Sequence, residues 1–350
     1  MNIVLAYNVR HYDPLQNREK AEVEAEFDSP ETIKLIKNTL AGLGHRVFLV
    51  EADESAYPKF KRLRPKTDLV FNYSEGIGGL DREAQIPTIL EMLGIPHTGG
   101  SPLSYAIGLN KVKTKEVLAC HKILTPAWQV FKDCQEKISK NLKFPLIVKP
   151  QSEGSSKGIV VKSLVFDEKQ LRQRIKEEIQ KYKQPALVEE FLDGREFTVG
   201  VLGYPPKILP IVEIKFDELP KGMPKFDHYE AKWIYDNPKF KSDPLVCPAK
   251  ISKKLEKQIN NSVILAFDVL ELADWARFDV RLDKRGHPNI LEANCPPGII
   301  PDPKENSRFP RAAKVAGLNF PKLLQTVIAS AAKRYNISSK LKIQKSKLRS

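Results

Sequence analysis

Apolar residues along this chain alternate between short continuous runs and helix-spaced positions, and that alternation sets out its elements. Ile3 to Tyr7 is a short apolar run that predicts a strand. After a polar stretch, SPETIKLIKNTLAGLG places Ser29 before Pro30 and repeats Ile33, Ile36 and Leu40 at helical spacing, with Gly42 and Gly44 to close the helix. HRVFLVEAD predicts a second strand, and TDLVFNYSEG a third that ends in a glycine-bearing turn. REAQIPTILEMLG then predicts a helix, followed by the short link IPHTGG. Strand and helix in alternation predict an open α/β sheet, whose ligands sit beyond the carboxyl ends of the strands.

The pattern becomes mixed after a helix expected from about Asn110 to Cys120. LKFPLIVKP and KGIVVKSLVF read as two strands joined by a Gly/Ser turn. DEKQLRQRIKEEIQKYK predicts a charged amphipathic helix, and PALVEEFLDGREFTVGVLG a strand, a turn and a strand. Prolines crowd the stretch from Pro205 to Pro248, which predicts long loops close to a site. KKLEKQINNSVILAFDVLEL predicts a helix, and ARFDVRLDKRGHPNILEAN a hairpin that turns between Asp283 and Gly286. A closing helix is expected after Gly317, and no internal repeat is visible.

Composition narrows the class. At 350 residues, with 41% hydrophobic and 29% charged residues, the chain is expected to build two or three domains with ordinary cores. No apolar run approaches the roughly 18 residues of a membrane span, and MNIVLAYNVR carries no basic leader of the signal-peptide kind. Cys120, Cys134, Cys247 and Cys295 have no paired spacing, which argues against a disulfide frame or a zinc knuckle and favours the reducing cytoplasm. The net charge of +14 raises the question of nucleic acid. Seven of those charges lie at or after Lys333 with no acidic residue among them, and without them the net charge falls to +7. The tail reads as a solvated basic end, and the remaining excess suits an anionic nucleotide.

The hairpin carries the strongest chemical signal. Alternation puts Arg277, Asp279 and Arg281 on one face of the first strand, and Glu292 and Asn294 on one face of the second. Two carboxylates and an amide are all oxygen donors and suit Mg2+ held between protein and phosphate. The plain alternative is a surface hairpin in which Asp279 pairs with Arg281. The rigid PPGIIPDP that follows, which can hold a glycine amide at a catalytic wall, argues against it. Upstream, KPQSEGSSKG lacks the spacing of a P-loop. Its several backbone amides can still fold over phosphates as a lid, with Lys149 at the strand end and Lys111 at a helix start supplying point charges.

LNKVKTKEVL, FPLIVKPQSEGSSKG, LVEEFLDGREFTV, DHYEAKW, ARFDVRLD and ILEANCPPG occur in the order found in D-alanine–D-alanine ligases, and the chain resembles that family of the ATP-grasp superfamily. REAQIPTILEMLGIPHTG is similar to the stretch where their first domain ends, and the resemblance runs from about Val70 to about Ala332. It implies an ATP-grasp fold, α/β overall and α+β in the ATP-binding part, in three domains. These are an N-terminal open α/β domain over 1–108, a central subdomain with the lid turn over 109–186 and a C-terminal catalytic domain over 187–334, before a basic tail at 335–350.

The resemblance also implies roles. Lys111, Lys149 and Lys232 would contact ATP phosphates, and the turn with Ser155 and Ser156 would close over them, Ser155 lying near the first substrate. Glu189 and Glu190 would begin the hinge that holds adenine, Leu192 would pack beside it, and Glu196 would bind the ribose. Asp279, Glu292 and Asn294 would hold two Mg2+ ions or Mn2+, Arg277 and the amide of Gly298 would face the oxyanion, and Ser307 would receive the second substrate's carboxylate. The implied reaction joins D-alanine to D-alanine with ATP for peptidoglycan precursors, in a cytoplasmic enzyme that family habit makes a homodimer.

Three departures fall on the substrate side. YNVRHYDPLQNREK replaces the glycine-rich, glutamate-bearing loop that grips the first ammonium, leaving Glu24, Glu26 and Glu31 as substitutes or as ordinary flanking charges. VFNYSEG stands where a histidine-bearing turn is common, Trp233 stands where a tyrosine is expected, and the loop from Gly298 to Ser307 is long, with Pro301, Asp302 and Pro303. Two alternatives therefore accompany the leading expectation. One is a carboxylate–amine ligase with another amino-acid or specialised-metabolite substrate, and the other is a nucleotide-responsive nucleic-acid binder.

Overall fold

A computed structural model of the chain describes residues 1–12, 24, 26–217, 219–228, 244–301 and 307–341. Strand β1 (Asn2–Tyr7) lies between β2 (Arg46–Glu51) and β3 (Leu69–Tyr73) and runs parallel to both. Its side chains alternate between two cores. Ile3 and Leu5 meet Ile33, Ile36 and Leu40 of α1 (Pro30–Gly42). Val4 and Ala6 meet Phe60 of α2 (Ala56–Leu63) and Ile86 and Leu90 of α3 (Gln85–Met92). A strand covered on both faces must be apolar throughout, and LVFNY of β3 is buried at every position. Helix α1 starts where expected, with the Ser29 hydroxyl accepting from the Thr32 amide at 3.2 Å.

Two short helices follow in direct succession. α4 (Pro102–Leu109) is capped by Ser101 and was not anticipated; α5 (Lys111–Cys120) begins one residue after it, with Asn110 accepting from the Lys113 amide at 3.1 Å. Lys111 is thereby fixed at the first turn of a helix. The second sheet has the order β4 (Trp128–Phe131), β7 (Ala186–Glu190), β5 (Leu146–Pro150), β6 (Leu164–Val165), with Leu171 and Ile175 of α6 (Glu168–Tyr182) packed against it. Strand β4 was also not anticipated. Because β7 pairs with β4 and β5, it belongs to the second sheet, and the change of sheet comes after Glu190. KGIVVKSLVF was expected as a strand but contributes only the two residues of β6, preceded by a 3-10 turn at Val161–Ser163. The Val160 amide donates to Ser163 Oγ, which donates to the Gly158 carbonyl, so local side-chain bonding overrides β-branched propensity there.

The third sheet is antiparallel. It holds β8 (Glu196–Leu202), β9 (Lys207–Ile208), β10 (Val212–Ile214), β11 (Leu245–Val246), β12 (Trp275–Leu282) and β13 (Pro288–Asn294), with β8 between β10 and β12. Helix α7 (Lys253–Val269) covers one face through Ile259, Val263 and Ala266. Helices α8 (Arg308–Val315), which was not anticipated, and α9 (Phe320–Arg334) cover the other and join it to the first sheet. Trp275 sits at that junction, 5.4 Å from the Phe71 ring and 6.2 Å from the Phe309 ring. The start of the basic tail is structural rather than solvated. Arg334 pairs with Asp274 at 2.8 Å and donates to the carbonyls of His97 and Gly99, and Lys340 pairs with Asp68 at 2.8 Å. Among the described residues no helix is long and apolar enough to cross a membrane.

Candidate active site

The second and third sheets face each other across a cleft of about 660 Å3, bounded by β5, the 151–158 turn, the end of β7, β12 and β13. Register brings the expected hairpin residues together: Asp279 lies opposite Glu292 and Arg277 opposite Asn294. The ladder then slips by one residue, so that Val280 pairs with Ile290. The extra residue is Leu291, a bulge that lets Leu291 and Glu292 both line the cleft while Ile290 and Ala293 enter the core. Asp279 is 5% exposed and is held by the Thr198 hydroxyl, by Arg277 at 3.0 Å and by the Asn294 amide at 3.3 Å. Glu292 pairs with Lys111 at 3.5 Å. Burial alone would raise the Glu292 pKa, but Lys111, Lys149 and Arg277 bring it down to about 2. Two carboxyl groups and an amide on adjacent strands offer hard oxygen donors that fit Mg2+.

Lys149 ends β5 and enters the cleft, where it contacts Glu189 directly. Sequence reasoning missed a third member: Lys115, one turn beyond Lys111 on α5, is fully buried and pairs with Glu189 at 2.6 Å. Helical spacing of four in KVKTK could have found it. Burial pushes the Lys115 pKa down, whereas Lys149 is held up against burial by Glu189. Burial would raise Glu189, yet the two ammonium groups lower it to about 2. The Glu189 carboxylate is thus engaged by lysines, and the hinge amides of Glu190 and Phe191 bond the carbonyls of Ala127 and Pro145 at 2.9 and 3.0 Å. Leu192 lines the cleft with Ile147, Phe191, Phe226 and Leu291, four apolar residues that the sequence did not single out.

The GSSKG turn lies over the same cleft. Ser155 and Ser156 both line it and both adopt positive φ, 49° and 60°, an uncommon backbone for serine. Lys111 reaches the turn as well, bonding the Glu153 carbonyl through its side chain and the Gln151 carbonyl through its amide at 3.0 Å. Glu196 lines the cleft but is paired with Arg281 at 2.6 Å; burial, against the pull of Arg281, raises its pKa to about 7. Gly298 lies beyond the end of β13 and outside the cleft lining, and the Ser307 hydroxyl donates to its carbonyl at 3.4 Å. Lys232, Trp233, Asp302 and Pro303 lie outside the described residues.

Of the three upstream carboxylates, Glu24 accepts from the amides of His11 and Tyr12 at 2.6 and 3.1 Å, and Glu31 occupies the first turn of α1. Glu26 is bound by Arg82 at 2.7 Å and accepts from the Gly154 amide at 2.5 Å. Glu75, at the end of the VFNYSEG turn, stands beside Glu83. Burial raises both carboxyls; the Glu83 charge adds to the rise at Glu75, and the Glu26 charge to that at Glu83, which reaches about 8.

Comparison with known proteins follows the same lines. The family model described as the D-ala D-ala ligase C-terminus matches residues 104–329. The D-alanine–D-alanine ligase of Aquifex aeolicus is 34% identical over 306 residues, covering 86% of this chain and 94% of that protein. A Sinorhizobium fredii protein, "Uncharacterized protein y4sG", is 34% identical over 299 residues, covering 83% and 84%. Among solved structures, the D-alanine–D-alanine ligase of Bacillus anthracis superposes with a TM-score of 0.70 at 22% identity, over 96% of this chain and 99% of that one. The same enzyme complexed with ATP gives 0.69 at 19% identity. These structural likenesses show that the fold is shared.

Proposed function

The chain belongs to the D-alanine–D-alanine ligase family, and from that premise we propose that it condenses two molecules of D-alanine with ATP, giving D-alanyl-D-alanine, ADP and phosphate. The reading rests on one arrangement: Asp279, Glu292 and Asn294 face Lys111 and Lys149 across a single cleft, beneath a turn rich in backbone amides.

A carboxylate is a poor electrophile, so the γ-phosphoryl group is first passed to the carboxylate of the first amino acid, leaving ADP. Lys111 and Lys149 receive the phosphate charge, and Glu189 holds Lys149 ionised where it is needed. Asp279, Glu292 and Asn294 would hold Mg2+, which when bound neutralises the charge on the transferred group. The apolar slot of Ile147, Phe191, Leu192, Phe226 and Leu291 takes the adenine, with Leu192 packed beside it. The amine of the second amino acid then attacks the acyl carbonyl. Arg277, 14% exposed and already aligned by Asp279, and the Gly298 amide receive the oxyanion before phosphate departs. Ser307, whose hydroxyl donates to the Gly298 carbonyl, would receive the second carboxylate.

A second reading keeps this chemistry and changes the first amino acid. It is favoured by the pairing of Glu26 with Arg82, which occupies a carboxylate otherwise able to receive an ammonium, and by the Glu75–Glu83 pair on that side. Phosphate release from ATP, measured with D-alanine as sole amino acid, tests the leading reading. Turnover is expected, and Glu292→Gln is expected to abolish it while the far-ultraviolet circular dichroism stays unchanged. Turnover of the variant close to the parent's would remove Glu292 from the metal set.

A further inference from the structure

The acyl phosphate on which the ligase reading rests is destroyed by water, so the 151–158 turn must be held shut while it exists. The sequence of that turn offers little to hold it: two glycines, three serines and no large apolar residue. Its fastening comes from outside. Arg82, in the 3-10 turn ahead of α3, is 7% exposed and directs its guanidinium across the boundary between the first and second sheets. Nη1 donates to the Ser152 carbonyl at 2.9 Å, Nη2 lies 3.4 Å from Glu153, and Nε and Nη2 bond Glu26 at 3.1 and 2.7 Å. Glu26 in turn accepts from the Gly154 amide at 2.5 Å, and Lys157 pairs with Glu153 at 2.7 Å and lies 3.9 Å from Glu26. The four charged side chains are at most 13% exposed.

We propose that Arg82 is a positioning residue for the ligation: with Glu26 it clasps the phosphate-covering turn to the N-terminal domain, and the clasp keeps water from the acyl intermediate. Two features separate this from a merely structural ion pair. Burying charges in this way rarely adds net stability against an apolar contact of the same size, whereas it fixes one geometry sharply. The contacts also end on backbone, at the Ser152 carbonyl and the Gly154 amide, immediately before Ser155 and Ser156 in the cleft. A Cβ on Gly154 would stand 2.7 Å from Glu26 Oε1, so a larger residue there would push the clasping carboxylate aside. When the clasp is lost, water adds its oxygen to the acyl carbonyl, the bond from that carbon to the phosphate oxygen breaks, and free amino acid, inorganic phosphate and a proton result with no peptide bond formed.

The experiment compares phosphate released with dipeptide formed, in the parent and in Arg82→Met, and follows trypsin cleavage after Lys157 in the presence of ATP and Mg2+. The parent is expected to release one phosphate per dipeptide and to resist cleavage. Arg82→Met is expected to release phosphate in clear excess, to lose up to about 100-fold in kcat for dipeptide through misplacement of the turn, and to be cut faster after Lys157. Arg82→Lys should restore part of the ratio. A one-to-one ratio and parental trypsin resistance in Arg82→Met overturn the proposal. Should Arg82→Met fail to fold, Glu26→Gln, which keeps the size and an acceptor, is read in the same two assays with the same outcomes. Absence of dipeptide from the parent with every amino acid tried counts against the ligase reading alone, since cleavage after Lys157 in the parent and the variant still decides whether the clasp holds the turn.

Discussion

At Glu189 three buried charges meet, and their balance can be read through pH. Its carboxyl is lowered to about 2 from an ordinary 4.5 by Lys115 and Lys149, against the effect of burial. The unfolded chain therefore binds more protons than the folded one between those values, and the stabilisation is present above pH 4.5 and lost as pH falls toward about 2. Glu189→Gln should flatten that acid limb, and at neutral pH should cost about 3–5 kcal/mol by leaving two ammonium groups unpaired. Thermal denaturation of both proteins across this range checks it. Glu83 runs the other way. With its carboxyl raised to about 8, the folded state holds the proton more tightly, so its contribution is full below pH 4.5 and disappears as pH rises through about 8. Glu83→Gln should accordingly melt higher than the parent above pH 8 and close to it below pH 4.5. Arg277→Ala is expected to lower kcat by about 100- to 1000-fold with little change in the KM for ATP, because its proposed contact is to the oxyanion. An equal change in both would place Arg277 in ground-state binding instead.

At the scale of elements, the hairpin was the most legible part of the chain because a period of two maps residues to faces without further information. Asp279, Glu292, Asn294 and Arg277 met as expected. The bulge that brings Leu291 in beside Glu292 was invisible, since alternation in ILEAN does not report which residue is extra. KGIVVKSLVF misled for the opposite reason: Ile159, Val160 and Val161 look like strand residues, yet Ser163 ties the segment back to Gly158. Helices α4 and α8 are eight residues each, too short to show two turns of apolar repeat, although Ser101 caps the first and Ser307 precedes the second. Lys115 was passed over because burial, which makes it matter, is a tertiary property. At Gly158 the turn and helix α6 touch: φ is +75°, and a Cβ would stand 2.3 Å from Glu178 Oε1 and 2.6 Å from Pro150 Cδ. Gly158→Ala should cost about 1–3 kcal/mol and raise the KM for ATP more than it lowers kcat. Steady-state kinetics beside a melting curve separates the two effects.

Over the whole molecule, the first and third sheets share one core through Trp275, Phe71, Phe309 and α9, and Asp274 ties Gly99, Ser330 and Arg334 into the same joint. Trp275→Ala should cost about 3–5 kcal/mol and lower the melting of both sheets together, seen as one shifted transition; two separate transitions would mean that the sheets fold independently. The cleft lies between this joined body and the second sheet, and its nucleotide half was far more legible than its substrate half. The lysines, amides and carboxylates proposed to hold phosphate and metal sit in contiguous motifs. Glu26, Glu75 and Glu83, on the side proposed for the first amino acid, come from separate segments, and only the fold supplies their partners. Product identification therefore tests the central claim most directly: ATP and Mg2+ are supplied with a panel of D- and L-amino acids, singly and in pairs, and the products are weighed. The account predicts D-alanyl-D-alanine with one ADP and one phosphate per peptide bond. No product from D-alanine at saturating concentration, with a dipeptide from another amino acid, would contradict it and leave the second reading in its place.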